Sequence, residues 1–209
     1  MTRTTTIRTS KYPYHIVNRC HRKAPFPIPL NDVWNLFIYE LEKVQKEENL
    51  TIYAFVLMPN HFHLLCQTPK SNIDKVMYKL MKRLTYKIQI KAEIINSIFG
   101  GRYKSSLVRD QNYYYNVYKY VLQNPLRAKL SHDFLKYPFL LCSEKANKTA
   151  VKITKFVDCT SREDQFSSWI NTSFCENDHL LIQKAMKKRI YQYPKNQGYR
   201  QNPQANFTQ

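Results

Sequence analysis

The sequence predicts an α+β protein. It should form a ferredoxin-like, split β-α-β-β-α-β antiparallel sheet with helices on one face, followed by a tyrosine-rich helix and a basic C-terminal extension. Three observations predict this. Four short apolar or alternating runs read as strands. Two stretches with apolar residues at helical spacing fall between the first and second strands and between the third and fourth. A two-residue connection, Pro59-Asn60, makes the middle strands an antiparallel hairpin.

Taken in order, residues 1–11 are polar and basic and read as a flexible arm. Tyr12 to Cys20 is the first strand, with Tyr14, Ile16 and Asn18 alternating with His15, Val17 and Arg19. Arg19 would emerge at the strand end, where a phosphate could meet it or where it would simply be solvated. A proline-rich loop leads to a helix from Val33 to Glu48, capped by Asn31 or Asp32 and closed by Asn49. Val33, Phe37, Leu41 and Val44 form its apolar stripe. The second strand spans Leu50 to Met58 and the third His61 to Thr68.

The second helix starts at Ile73 and runs to about Asn96. Ile73, Val76, Met77, Leu80, Leu84 and Ile88 mark its buried side. Lys75, Lys79, Arg83, Lys87 and Lys91 recur at intervals of four, a like-charge spacing that is self-repulsive in an isolated helix. It predicts a phosphate-facing stripe, with a solvated basic face as the alternative. A glycine turn at Gly100-Gly101 opens the fourth strand, where Arg102 and Lys104 could reach backbone phosphates. The tyrosine helix follows from Tyr113 to Asn124, interrupted by Pro125.

These elements make a domain of residues 1–145. Residues 146–209 are a basic, partly helical extension, with a strand at 151–157, helices at 162–170 and 178–191, and a disordered Gln/Asn/Pro-rich tail from about 194. Net charge is +18, and residues 1–148 carry 24 of the 33 basic residues. A polyanion is the expected partner, and nucleic acid is favoured over anionic membrane because no apolar run approaches spanning length. With 3 glycines there is no phosphate-cradling loop, which excludes P-loop and dinucleotide-binding enzymes. The five cysteines are widely spaced, without a C-x-x-C pair, and no signal peptide leads the chain. Both features predict a reduced, cytoplasmic protein.

The chemistry centres on His61 and His63. Flanking Phe62 on one strand, they point to the same face about 7 Å apart, a spacing that suits two metal ligands. Either histidine alone would serve equally well as a hydrogen-bonding residue at a strand start. The tyrosine helix places five tyrosines in eight positions, and Tyr120 and Asn124 lie one turn apart on one face. The amide oxygen of Asn124 could be a third ligand, with Tyr120 beside the metal. The same spacing also fits a Tyr120 packed by its ring and wet at its hydroxyl. As chemistry, the set suits attack by a phenolate on a DNA phosphodiester, with Mg²⁺ or Mn²⁺ as Lewis acid.

Three segments here resemble the single-tyrosine HUH transposases, and most closely the REP-associated tyrosine transposases. Tyr14-His-Ile-Val-Asn-Arg19 resembles that family's first strand. Phe55-Val-Leu-Met-Pro-Asn-His-Phe-His-Leu-Leu65 is similar to its Met-Pro-Asn-His-hydrophobe-His block, and Tyr120-Val-Leu-Gln-Asn-Pro-Leu-Arg-Ala128 to its tyrosine-helix block. Gly101-Arg102-Tyr103-Lys104 is similar to the Gly-Arg-Phe-Lys before that helix. The resemblance implies metal on His61 and His63, Asn124 as third ligand and Tyr120 as nucleophile. It also implies single-stranded DNA with a hairpin as substrate, cleaved and rejoined through a covalent phosphotyrosine. Arg19, Lys75, Lys79, Arg83, Lys87, Arg102 and Lys104 are the expected DNA contacts. Both a monomer, with the tyrosine helix serving its own site, and a homodimer, with it serving a partner's, fit. The competing readings are a hairpin-binding regulator that does not cut and a metal-dependent nuclease that uses water.

Overall fold

The structure, a computed structural model, describes residues 6–143, 149–154, 163–196 and 199–200. Strands β1 (Tyr14–Arg19), β2 (Thr51–Met58), β3 (His61–Gln67) and β4 (Lys104–Leu107) form one sheet. Their order is β2-β3-β1-β4 and every pairing is antiparallel, the predicted split arrangement. Helices α1 (Leu30–Glu48) and α2 (Ile73–Ala92) cover one face, and α3 (Gln111–Arg127) covers the other. This explains why β2 is apolar almost throughout. Phe55 and Leu57 enter the core under α1 and α2, while Ala54, Val56 and Met58 enter a second core under α3.

The helix ends differ from the sequence expectation for local reasons. α1 begins earlier, after Pro29, whose carbonyl accepts from the N–H groups of Asp32 and Val33. Asn31 and Asp32 are therefore inside the first turn, where the Asp32 charge suits the helix dipole. Asn49 closes α1 as expected, with φ 56°. α2 stops at Ala92 because Glu93 turns left-handed, φ 54°, and the Gln89 amide then binds the carbonyls of Ile95 and Asn96.

The basic stripe of α2 has a structural partner. Lys75 and Lys79 pair with Glu48, Lys79 and Arg83 with Glu47, Arg83 and Lys87 with Glu40, and Lys91 with Asp32. Glu40 and Glu48 are almost fully buried between the helices. Their carboxylates explain the interval of four, and the charges expected to meet phosphate meet this chain's own α1. Lys79 and Arg83 hold Glu47 below the usual carboxylate range, chiefly through the Lys79 hydrogen bond. Lys79→Met is expected to destabilise the fold measurably, because it removes one of the two cations that meet the buried Glu48 carboxylate, but by less than breaking a fully buried pair, since Lys79 is partly exposed. It should leave DNA affinity nearly unchanged. Urea unfolding with a parallel DNA titration checks this, and a stable variant with weakened DNA binding would return the stripe to phosphate.

Pro125 lies inside α3 rather than ending it. Proline removes the N–H that would bond the Val121 carbonyl. The Asn124 amide nitrogen stands in: it donates to the Tyr120 carbonyl at 2.8 Å and reaches that of Val121 at 3.4 Å.

The extension packs on α3. Helices α4 (Glu163–Asn171) and α5 (Glu176–Met186) supply Ile170, Ile182 and Met186 to the second core, joined by Phe174, Tyr191 and Tyr193. Lys119 of α3 is buried between Trp169 and Phe174, its ammonium 5.2 and 4.8 Å from their ring centres. Desolvation there lowers its pKa to about 8. Of the tyrosines on α3, Tyr114 and Tyr118 are buried and stacked on each other, so they serve packing.

Three further expectations are corrected. Residues 6–11 are not a loose arm, because the Tyr14 hydroxyl bonds the carbonyls of Ile7 and Thr9 and Arg8 pairs with Asp74. The expected strand at 151–157 reduces to a bridge from Ile153 to Ile52, and its residues 155–157 lie outside the described ones. Past 194, Lys195–Asn196 (β5) pairs with Tyr199–Arg200 (β6), and residues 201–209 lie outside the described ones.

Candidate active site

β1 and β3 run side by side with Arg19 opposite His61 and Val17 opposite His63. Period-two alternation therefore puts His15, Arg19, His61 and His63 on the face covered by α3. The rings of His61 and His63 are 5.1 Å apart. Tyr120 of the same chain brings its ring to 5.8 Å from that of His63 and 6.5 Å from that of His15. A cavity of about 550 Å³ opens here, lined by His63 and Tyr120 and by the predicted cations Arg19, Arg102 and Lys104. His61 stands just outside that lining, in ring contact with His63, and Asn124 lies one helical turn beyond Tyr120. Lys75, Lys79, Arg83 and Lys87 are elsewhere, on the α1–α2 seam.

The hydrogen bonds orient both histidines. Asn60 Nδ2 donates to the Lys23 carbonyl at 2.8 Å, which turns Asn60 Oδ1 toward His61 Nδ1 at 2.6 Å. A carboxamide oxygen only accepts, so His61 carries its proton on Nδ1 and offers a lone pair at Nε2. His63 Nδ1 lies 2.8 Å from His15 Nε2, again leaving Nε2 for another partner. Burial lowers His15 to about 3, and burial with the nearby Arg19 lowers His61 to about 4. His63 is held well below its ordinary value by burial, then by His15, His61 and Arg19. All three imidazoles are neutral at pH 7, the form that binds metal.

Asn124 is half-buried on α3, one turn from Tyr120. Its nitrogen is turned to helix carbonyls, so its oxygen faces away from the helix backbone. Among the described residues no group of three His, Cys, Asp or Glu side chains suited to a metal ion occurs. A cation at the histidine pair would therefore need a donor of another type, and the Asn124 oxygen is one. Asn60→Ala should leave the fold intact and weaken metal binding about 10- to 100-fold, the usual cost of losing a ligand's hydrogen-bonding support. Titration calorimetry with Mn²⁺ checks it.

Tyr120 is only 8% exposed. Its ring stacks on His179 of α5, with centres 5.2 Å apart and planes 17° from parallel. Gln183, one turn further along α5, donates from Nε2 to His179 Nε2 at 2.8 Å and also hydrogen-bonds the Tyr120 side chain. Burial raises the Tyr120 pKa, and the Gln183 bond and the charges of Arg127 and Arg19 oppose that rise. Three residues thus join the site that sequence reasoning had not singled out. His15 was within reach, since strand alternation already put it on Arg19's side. His179 and Gln183 carry no local signal.

Arg22 and Lys23 also line the cavity, both left-handed at φ 52° and 60°. Such backbone is uncommon outside glycine. Asn60 holds it through the Lys23 carbonyl, so one side chain fixes both a histidine and a basic loop.

A split sheet with paired histidines facing a tyrosine helix defines a class of DNA-mobilising proteins by resemblance, and comparison with known proteins makes the assignment. The sequence model of the family described as IS200-like transposases matches residues 8–124, more than half of the chain. The chain belongs to that family. A solved structure of a REP-associated tyrosine transposase bound to a REP hairpin shares the fold, with a TM-score of 0.58 at 16% identity over 68% of this chain and 82% of that one. A putative transposase from Deinococcus radiodurans aligns over 58% of this chain and 94% of its own, at 15% identity and a TM-score of 0.40. No curated protein matches. Among the described residues no helix is long and apolar enough to cross a membrane, and Cys20, Cys66, Cys142 and Cys175 are free thiols.

Proposed function

We propose that this transposase-family protein cleaves and rejoins single-stranded DNA beside hairpin repeats, with Tyr120 as nucleophile. The observation that carries the reading is the Tyr120 ring 5.8 Å from that of His63, at the wall of a basic cavity. Arg19, Arg102 and Lys104 would bind the phosphates around the scissile bond. The Tyr120 hydroxyl gives up its proton to solvent and its oxygen attacks phosphorus. The bond from phosphorus to the 3′-oxygen breaks, and that oxygen takes a proton. The 5′-phosphate stays on Tyr120 as a phosphodiester. Attack by a 3′-hydroxyl reverses the exchange, so strands rejoin without a nucleotide cofactor. A divalent cation, Mg²⁺ or Mn²⁺, held by His61, His63 and Asn124 would supply Lewis-acid stabilisation of the phosphate. Gln183 and His179 would keep the Tyr120 ring in one orientation.

The hairpin preference is supported by the shared fold with the REP-associated transposase that is bound to a REP hairpin. A labelled hairpin oligonucleotide from sequence flanking the gene, incubated with Mn²⁺ or Mg²⁺, should give a denaturant-resistant protein–DNA adduct. A second reading, a regulator that binds DNA or RNA hairpins without cutting, draws on the burial of Tyr120 beneath α5. Tight binding with neither adduct nor cleavage, in either metal, would select it.

A further inference from the structure

A DNA strand that is cut in the cavity must be unpaired there, and it must continue somewhere. A second groove, of about 970 Å³, runs along α2 on the other side of the sheet edge. Asn18, Gly101 and Arg102 line both it and the catalytic cavity, so the two adjoin at this edge. The chain between them is Gly100-Gly101-Arg102. Gly100 and Gly101 have no side chains, and a Cβ at Gly101 would stand in open space, with φ 151°. Asn18 pins this crossing by donating from Nδ2 to the Gly101 carbonyl at 3.2 Å.

The α2 wall carries Tyr78, Lys82 and Tyr86 at i, i+4 and i+8. Both tyrosines are 64% exposed, unlike the buried Tyr114 and Tyr118 of α3. Their Cα atoms lie about 12 Å apart along the axis, at 1.5 Å per residue. The Lys82 ammonium lies 5.6 Å from the Tyr78 ring centre. Arg102 stands on the opposite side, over Tyr103. The groove's carboxylate, Asp74, is already paired with Arg8. Aromatic faces interleaved with cations are the chemistry of an unpaired strand: rings for bases, cations for phosphates.

We infer that this groove binds the unpaired DNA strand running between the hairpin and the catalytic cavity, or leaving that cavity, with bases stacked on Tyr78 and Tyr86. The inference rests on the reading of this protein as acting on single-stranded DNA. It adds a place and a mode of binding for the strand beside the hairpin.

The test is equilibrium binding without added metal, so that cleavage plays no part. Three hairpins are compared, one blunt, one with an unpaired 5′ extension and one with a 3′ extension. The proteins are wild type, the double variant Tyr78→Ala/Tyr86→Ala and the double variant Tyr78→Phe/Tyr86→Phe. The wild type should bind at least one extended hairpin about 10-fold or more tighter than the blunt one, and which arm gains tells which side of the hairpin the groove holds. The alanine pair should lose that gain while binding the blunt hairpin as before. The phenylalanine pair should keep it, because stacking needs the ring and not the hydroxyl. An extension that adds nothing in wild type, an alanine pair that keeps the gain, or equal losses on blunt and extended hairpins would each overturn the inference. So would an alanine pair that changes only the sedimentation of the protein, since the tyrosines would then meet a second copy of the chain. A protein that never forms an adduct but shows the extension-dependent loss would keep the groove and refute only the cleavage reading.

Discussion

Tyr120→Phe is expected to abolish the covalent protein–DNA adduct and lower strand cleavage by on the order of 10⁴-fold or more, to the background of the assay. The size of the effect follows from the role. Without the phenolic oxygen the reaction has no nucleophile on the protein. The phenylalanine ring keeps the stack on His179 and the edge contacts with His15 and His63, so the core under α3 should persist. The one bond lost is to Gln183, a change of about 1 kcal/mol. Hairpin affinity should stay within about twofold, because the cations that hold phosphate are untouched. A denaturing gel reads adduct and product together, and a thermal melt guards against unfolding. Cleavage that survives in the variant would mean that water, not Tyr120, attacks the phosphate. The protein would then be a hydrolytic nuclease.

The site was legible where its logic is local. Alternation along one strand put His61 and His63 on one face, and a spacing of four put Asn124 beside Tyr120. The fold was legible for the same reason, since Pro59-Asn60 and two apolar stripes leave few ways to build the sheet. The α2 stripe shows where local logic stops. Five cations at intervals of four look the same in sequence whether they face phosphate or carboxylate. What decides is the arrival of Glu40, Glu47 and Glu48 on another helix. Pro125 misled for a related reason. It reads as a helix end unless the side chain before it supplies the missing donor, which Asn124 does. His179 and Gln183 are more than fifty residues from Tyr120 in sequence. Nothing near them in the chain marks them, and only the docking of α5 on α3 brings them to Tyr120.

His63→Ala should remove both metal binding and cleavage, and these two losses separate a metal centre from a hydrogen-bonded histidine cluster. His63 sits in the middle of the row, with His15 on one side, His61 on the other and Tyr120 above. If the row is only a packing device, its loss costs stability alone. The His15 ring would keep a buried nitrogen without its partner, at about 1–3 kcal/mol. If the row holds a cation, a second change appears. Wild type with Mn²⁺ at a hundred times its Kd should gain about 2.7 kcal/mol of stability. For a chain of this size that raises the melting temperature by roughly 5–10 °C. The variant should show no such rise, and no adduct with any hairpin. Asn124→Ala should fall between, with weaker binding and a smaller rise, because the histidine pair remains. A His63→Ala protein that still gains stability from Mn²⁺ as wild type does would place the cation elsewhere. Tyr120 would then need another source of charge neutralisation, and Arg19, already in the same cavity, is the group positioned to provide it.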